Sequence, residues 1–223
     1  HLMAGGTRAS ADRMLRDIYD VSPQRRQLCL DAAEATMEAL HRQQPGDISL
    51  YVGIPFCPTR CIYCSFVSAA TEKSGKLIPP YLEALGREIH AAAEGLRQNP
   101  RRIRTVYIGG GTPTTLSARE LTWLLNTLHR EFDLSHCLEF TVEAGRPDTL
   151  DPEKLLAIRQ GGATRISINP QTMDDRVLAI MGRSHTSADI LRAYQQALEA
   201  GHRDINMDLI AGLPGDTPAG FQH

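Results

Sequence analysis

Tyr51-Val-Gly-Ile-Pro-Phe-Cys57-Pro-Thr-Arg-Cys61-Ile-Tyr63-Cys64-Ser-Phe-Val-Ser68 decides how the chain is read. A short apolar run, of the kind that makes a buried strand, empties into three cysteines spaced CxxxCxxC. Thiolates are soft ligands that suit iron–sulfur clusters or zinc, and three on one loop can grip one face of a cluster. The competing reading is half of a structural zinc site, which is ordinarily closed by four Cys or His ligands in paired knuckles. No second knuckle follows: Cys29 and Cys137 lie far off, and His90 sits well inside a helix pattern. The spacing therefore favours a three-cysteine cluster and leaves zinc or a redox thiol pair as alternatives.

Outward from that loop, strand and helix patterns alternate. Residues 11–43 are helix-rich, with Ser22-Pro23 as a start and Pro45-Gly46 as a stop. Residues 48–54 form the first predicted strand. After the cysteines, 71–76 reads as a flexible stretch and 80–98 as a helix. The unit then repeats: 103–108 is a β-branched run, Gly109-Gly110-Gly111 breaks it, and Ser117 with Glu120 makes a capping box for a helix to about residue 131. Further strands are predicted at 138–142, 164–168 and 204–210, separated by a helix capped at Asp151 and one beginning at Ser187.

This order argues for an α/β fold with a parallel sheet and crossover helices. In a closed or partly closed barrel of that kind, ligands gather at the carboxyl ends of the strands. Every polar feature that stands out falls there: the cysteine loop after the first strand, the three glycines after the second, Glu143 after the third, Gln171 after the fourth and Asp208 on the fifth. Parallel strands are usually near-continuously apolar, so Asn206 and Asp208 alternating with Ile205, Met207 and Leu209 call for a ligand rather than a core.

Composition narrows the class. The 223 residues are 42% hydrophobic and 22% charged, enough for one sizeable core and outside the disordered class. With 24 basic and 26 acidic residues the formal charge is -2, which offers no footprint for nucleic acid or an anionic membrane. Arg101, Arg102 and Arg104 read as a solvated connection between helix and strand. Five cysteines, three of them in one loop, do not form the even framework of a secreted disulfide protein, and a reducing cytoplasm fits better. No apolar run approaches the ~20 residues that cross a bilayer. His1-Leu2-Met3 reads as a cloning remnant, leaving 4–47 as a helical lead-in and 48–223 as the main domain.

Cys57-xxx-Cys61-x-Tyr63-Cys64 resembles the signature of the radical S-adenosylmethionine (SAM) superfamily. Tyr-Ile-Gly-Gly-Gly-Thr-Pro-Thr at 107–114, Thr-Val-Glu-Ala-Gly-Arg-Pro-Asp at 141–148 and Arg-Ile-Ser-Ile-Asn-Pro-Gln-Thr-Met at 165–173 narrow this to a resemblance to the oxygen-independent coproporphyrinogen III oxidase group. Their wording is most similar to the HemZ-type coproporphyrinogen dehydrogenase branch. The resemblance implies a partial (β/α) barrel whose sixth strand and C-terminal substrate domain are absent, so 48–223 is expected to be an incomplete core with no turnover of its own.

It also implies roles. Cys57, Cys61 and Cys64 would ligate three irons of a [4Fe-4S] cluster, leaving the fourth to chelate the amino and carboxylate groups of SAM. Gly109, Gly110 and Gly111, with Thr112, would let backbone approach the methionine end of SAM. Glu143 would accept from the ammonium and Arg183 would donate to the carboxylate, although a surface arginine is the plain alternative. Gln171 and Asp208 would bond the ribose, Tyr63 would lie along the adenine, and Tyr51 would sit near SAM. His185 and the other histidines read as surface or satisfied groups, and Cys29 and Cys137 as packing.

The implied reaction is conversion of two coproporphyrinogen III propionates to vinyl groups in haem biosynthesis, with a flavodoxin or ferredoxin as electron donor. A related haem chaperone, a haem-degrading methyltransferase and a zinc-binding module are the rival readings. Some members of the wider group carry a further cysteine two positions after the cluster motif, where this chain has Phe66.

Overall fold

The computed structural model describes residues 1–66 and 68–222. It divides into two compact units, His1–Asp47 and Ile48–His223.

The first unit is a helical pair. α1 (Arg8–Asp17) starts from a capping box between Thr7 and Ser10, which satisfies donors that a helix N-terminus otherwise leaves open. α2 (Pro23–His41) has proline in its first turn, where the missing N–H costs nothing, but the Ser22 side chain makes no capping bond. The pair is tied by Arg8 to Asp31 at 2.7 Å and Arg26 to Asp12 at 2.8 Å. α2 buries only Leu30, and Cys29 beside it is exposed. The packing role expected of Cys29 is thus corrected: its side chain is exposed.

The second unit is a five-stranded sheet in the order β1, β4, β5, β6, β7, where β1 is Asp47–Ile54, β4 Arg102–Gly110, β5 Glu139–Glu143, β6 Arg165–Ser167 and β7 Asp204–Asn206. The ladders from β4 through β7 are parallel, with Val106 opposite Phe140, Val142 opposite Ile166 and Ile166 opposite Ile205. Each step is made by a crossover helix: α4 (Ile78–Gln98), α5 (Ala118–Glu131), α6 (Pro152–Gln160) and α8 (Ser187–Glu199). Consecutive strands therefore become neighbours, as crossover connections require.

Spacing explains which faces turn inward. α4 buries Leu82, Leu85, Ile89 and Ala93, and α5 buries Leu121, Leu124, Leu125 and Leu128, both at helical intervals. They meet Ile54, Ile108, Val142, Ile166 and Ile168, all fully buried, in one continuous core. Each such side chain removed from water stabilises the fold by ~1.5–3 kcal/mol. Cys137 joins this core from its edge, its thiol donating to the Glu139 carbonyl at 3.3 Å.

Three expectations need correction. The stretch 71–76 is not a flexible segment but a short helix, α3 (Thr71–Ser74), and a 3-10 turn (Gly75–Leu77) that lead directly into α4. Of the three arginines before the second predicted strand, Arg102 and Arg104 lie on β4 itself. β7 stops at Asn206, whose side chain donates to Asp208 at 2.8 Å and accepts from Arg165 at 3.0 Å. Beyond it, among the described residues, the sheet is rejoined by a bridge between Gln171 and Leu209, so Asp208 lies past the strand rather than on it. Finally, α7 (Asp175–Ile180), α9 (Pro218–Gln222) and the two-residue strands β2 (Phe56–Cys57) and β3 (Ala69–Ala70) are too short to leave a periodic signal.

Candidate active site

The cysteine loop is closed at its base by β2 pairing with β3 and by the Ala69 N–H donating to the Pro55 carbonyl at 2.8 Å. Within it, the Cys64 N–H turns back to the Cys61 carbonyl at 3.1 Å. Cys61 is buried, Cys57 and Cys64 are half-buried, and none is in a disulfide. All three line a cavity of about 130 Å³ at the carboxyl ends of the strands.

Tyr63, Gly110, Gly111 and Thr112 line the same cavity, as do Glu143, Gln171 and Arg183. Tyr51, Gly109 and Asp208 do not. The exposed Tyr51 ring borders a neighbouring groove with Phe66 and Tyr81, and stacks on Tyr107 with centroids 5.9 Å apart. A side chain on Gly109 would put its Cβ 2.6 Å from the Tyr107 ring and 2.9 Å from Glu143 Oε2. Its bareness makes room for those two groups. Asp208 is exposed; its carbonyl accepts from the Gln171 N–H at 2.9 Å.

Gly110 and Gly111 are glycines for different reasons. Gly110 holds φ at +113°, a region that L side chains rarely adopt. A Cβ on Gly111 would fall 2.7 Å from the Phe56 carbonyl oxygen and 2.9 Å from Cys57 Sγ. The next residue, Thr112, donates its N–H to the Phe56 carbonyl at 2.7 Å and its hydroxyl to Cys57 Sγ at 3.4 Å. Backbone from the β4 loop is thus laid against the first cysteine.

Arg183 is buried, which overturns the surface alternative. Its Nη1 donates to the Asn169 carbonyl at 2.7 Å and its Nη2 to the Tyr63 hydroxyl at 2.9 Å, while Nε is buried without a partner among the described residues. An arginine fixed at both ends of its fork and short of one acceptor suits a negatively charged ligand group. Burial pushes the Tyr63 hydroxyl up to about 12 against the opposing pull of Arg183, so it stays a neutral acceptor.

Glu143 closes β5. Burial raises its carboxyl above the ordinary range, helped by Asp208 and opposed by hydrogen bonds from Tyr107 and the Gly110 backbone. Gln171 is also unusual: it holds φ at +70°, which costs a non-glycine residue on the order of 1–2 kcal/mol. Its backbone is held by the Asp208 carbonyl on one side and the Ile210 N–H, at 2.9 Å, on the other.

Residues that sequence reasoning passed over sit in the same wall. Arg146 and Asn169 line the cavity. His185 is buried rather than on the surface, with Nδ1 at 3.3 Å from Asp148 and Nε2 buried without a partner. Burial alone would raise Asp148, but hydrogen bonds from His185 and Arg146 outweigh it and hold the carboxyl well below the usual carboxylate range. The signal was present in Glu-Ala-Gly-Arg146-Pro-Asp148, where a loop residue as costly to bury as arginine follows a strand end.

Among the described residues, no three Cys, His, Asp or Glu side chains gather tightly enough for one ion. The three thiols stand instead around a shared cavity, beside a glycine whose Cβ would crowd Cys57. That donor set suits a polynuclear cluster, in which each iron takes its own thiolate.

The family model described as the Radical SAM superfamily matches residues 51–223. The chain belongs to the radical SAM superfamily. Its cofactors are accordingly a [4Fe-4S] cluster and S-adenosylmethionine. The chain is 36% identical over 226 residues to the oxygen-independent coproporphyrinogen-III oxidase-like protein HemZ of Bacillus subtilis (strain 168), covering all of this chain and 45% of the relative. It is 37% identical over 176 residues to the heme chaperone HemW of the same organism, covering 78% of this chain and 45% of that one. Among solved structures it is similar to coproporphyrinogen III oxidase (HemN) from Escherichia coli, a radical SAM enzyme, at a TM-score of 0.70 and 30% identity over 85% of this chain and 43% of that one. The chain thus spans less than half the length of these relatives. Among the described residues no helix is long and apolar enough to cross a membrane.

Proposed function

We propose that this chain forms the cofactor-binding core of an oxygen-independent coproporphyrinogen III oxidase, acting by oxidative decarboxylation of two propionates to vinyl groups. The observation that carries the proposal is the convergence of three free thiols, a buried arginine whose Nε has no partner among the described residues, and a half-buried carboxylate on one cavity. The HemZ relative, matched along the whole chain, supports the substrate class.

In this reading Cys57, Cys61 and Cys64 hold the cluster. Glu143 accepts from the SAM ammonium, Arg183 donates to its carboxylate, and the bare Gly110-Gly111 backbone lets the methionine end approach. Gln171 bonds the ribose and Tyr63 lies along the adenine. Asp208, outside the cavity, acts by holding the Gln171 backbone, and Tyr51 borders the groove next door. When bound, the cluster and SAM supply radical hydrogen abstraction at the substrate. The protein's own contribution is placement: Tyr63 and Arg183 fix each other, and the β2–β3 closure keeps the loop over the cavity. A reducing flavodoxin or ferredoxin would feed the cluster, in the cytoplasm.

Anaerobic reconstitution with iron and sulfide is the first test. We expect about four irons and four sulfides per chain with a charge-transfer absorption band; stoichiometric zinc without that band would overturn the cluster ligation. The second incubates the reconstituted full-length protein that carries this core with SAM, a strong reductant and coproporphyrinogen III, without oxygen, and looks for vinyl products and carbon dioxide. The HemW relative favours one alternative, a haem-handling protein. Tight haem binding with no vinyl product would decide for it.

A further inference from the structure

The cysteine loop does not hold itself in place. Between Cys57 and Cys64 its one internal backbone bond is Cys64 to Cys61, and its remaining anchors come from distant loops. Thr59, midway between the first two cysteines, is the hub. Its hydroxyl donates to the Gly182 carbonyl at 2.9 Å and accepts from Arg146 Nη1 at 2.8 Å, while its carbonyl accepts from the same Nη1 at 3.2 Å.

Arg146 comes from the loop after β5 and is 3% exposed. The rest of its fork is closed on Asp148, Nε to Oδ1 at 3.0 Å and Nη2 to Oδ2 at 2.8 Å. A guanidinium gripped on two sides is aimed, because its planar donors leave little freedom to turn. The Asp148 Oδ1 that accepts from Arg146 Nε also meets His185 Nδ1 at 3.3 Å, two residues beyond Arg183. One carboxylate therefore stands between the arm that reaches the cysteine loop and the loop that carries Arg183.

We propose that Asp148 is a positioning residue that sets the cysteine loop, acting through Arg146 on Thr59, and that it links this loop to the Arg183 turn through His185. A buried ion pair is weak support for stability as such, since desolvation roughly cancels its attraction. Its product here is direction: the Nη1 of Arg146 is left pointing at the carbonyl and hydroxyl of Thr59, between Cys57 and Cys61. The proposal deepens the cluster-binding reading and rests on it for its purpose, although not for its geometry.

The test compares Thr59→Val, which keeps the shape but removes the hydroxyl, with Thr59→Ser, which keeps the hydroxyl, and with Asp148→Asn. Metal-free protein is alkylated with iodoacetamide and the rate at each cysteine is read by peptide mass mapping. Iron and sulfide uptake and Tm are measured beside it. We expect T59V and D148N to raise the alkylation rate of the buried Cys61 severalfold and to lower iron uptake, T59S to match the unchanged protein, and T59V to melt within ~4 °C of it. Unchanged thiol rates in T59V would overturn the proposal. So would faster alkylation in D148N alone with a large fall in Tm, which marks general loosening. If the unchanged protein takes up no cluster, the function proposed above fails, while the thiol rates of the metal-free protein still decide this inference.

Discussion

Glu143 carries opposite demands at one carboxyl. Its half-buried position makes ionisation costly, yet the proposed contact with an ammonium needs the charge. Because its folded pKa is raised, the folded chain keeps this proton while the unfolded chain, near ~4.3, has already lost it. Stability therefore falls as pH rises through that window and stays lower above it. Glu143→Gln removes the penalty. The variant is expected to melt higher than the unchanged ligand-free chain at pH 7, with the difference shrinking toward pH 4, and to lose SAM affinity in anaerobic equilibrium binding. A glutamine variant that melted lower at pH 7 would contradict the assignment of a buried, ionised Glu143. Gly111 makes the complementary case. Gly111→Ala drives a methyl group into the Phe56 carbonyl and Cys57 Sγ, neither of which can yield without moving the first cysteine. Overpacking of this kind costs ~1–3 kcal/mol, and iron uptake is expected to fall with it. These two residues were readable because a strand-end carboxylate and a glycine run stand out against apolar neighbours. Tyr51 and Asp208 were harder: reaching the cavity or the groove beside it depends on where β1 and β7 stop, which spacing alone does not fix.

At the scale of elements, capping and periodicity did most of the work. α5 starts at a capping box in which Ser117 and Glu120 satisfy each other's backbone donors, and its Leu124 is fully buried against the sheet. Leu124→Ala is expected to cost ~2–5 kcal/mol by denaturant titration, since a close-packed core does not collapse around the space left. Ser117→Ala, which removes one cap acceptor at the exposed end of the same helix, is expected to cost about 1 kcal/mol. A larger loss from S117A than from L124A would mean that α5 is held by its start rather than by its face. β1, β4, β5 and the four crossover helices were legible for the same reason, each long enough to repeat its pattern, whereas the three-residue β6 and β7 were read from longer apolar runs around them. α7, β2 and β3 were not, because six residues or two carry no period. Yet β2 and β3 close the cysteine loop, so the least legible elements hold the most legible motif.

For the molecule as a whole, the site belongs to no single element. The cavity takes side chains from the loops after β1, β4, β5 and β6, which are joined by the sheet beneath them and by bonds such as Arg146 to Thr59 and Arg183 to Tyr63. A ligand that touches all four binds the folded chain and not the unfolded one, so it must add to stability by mass action. At a concentration a hundredfold above its dissociation constant, SAM would contribute about 2.7 kcal/mol to reconstituted protein. Reconstituted protein is therefore expected to melt above the metal-free chain, and SAM to raise Tm again only when the cluster is present. Hydrogen exchange should localise the gain to 57–69, 143–148, 169–172 and 181–185, leaving α5 unchanged. Cys61→Ala should abolish both steps while barely moving the metal-free Tm, because the side chain lines a cavity instead of filling a core. If SAM stabilised the Cys61→Ala chain as much as the reconstituted one, the cluster would have no part in holding it, and the shared site would have to be divided.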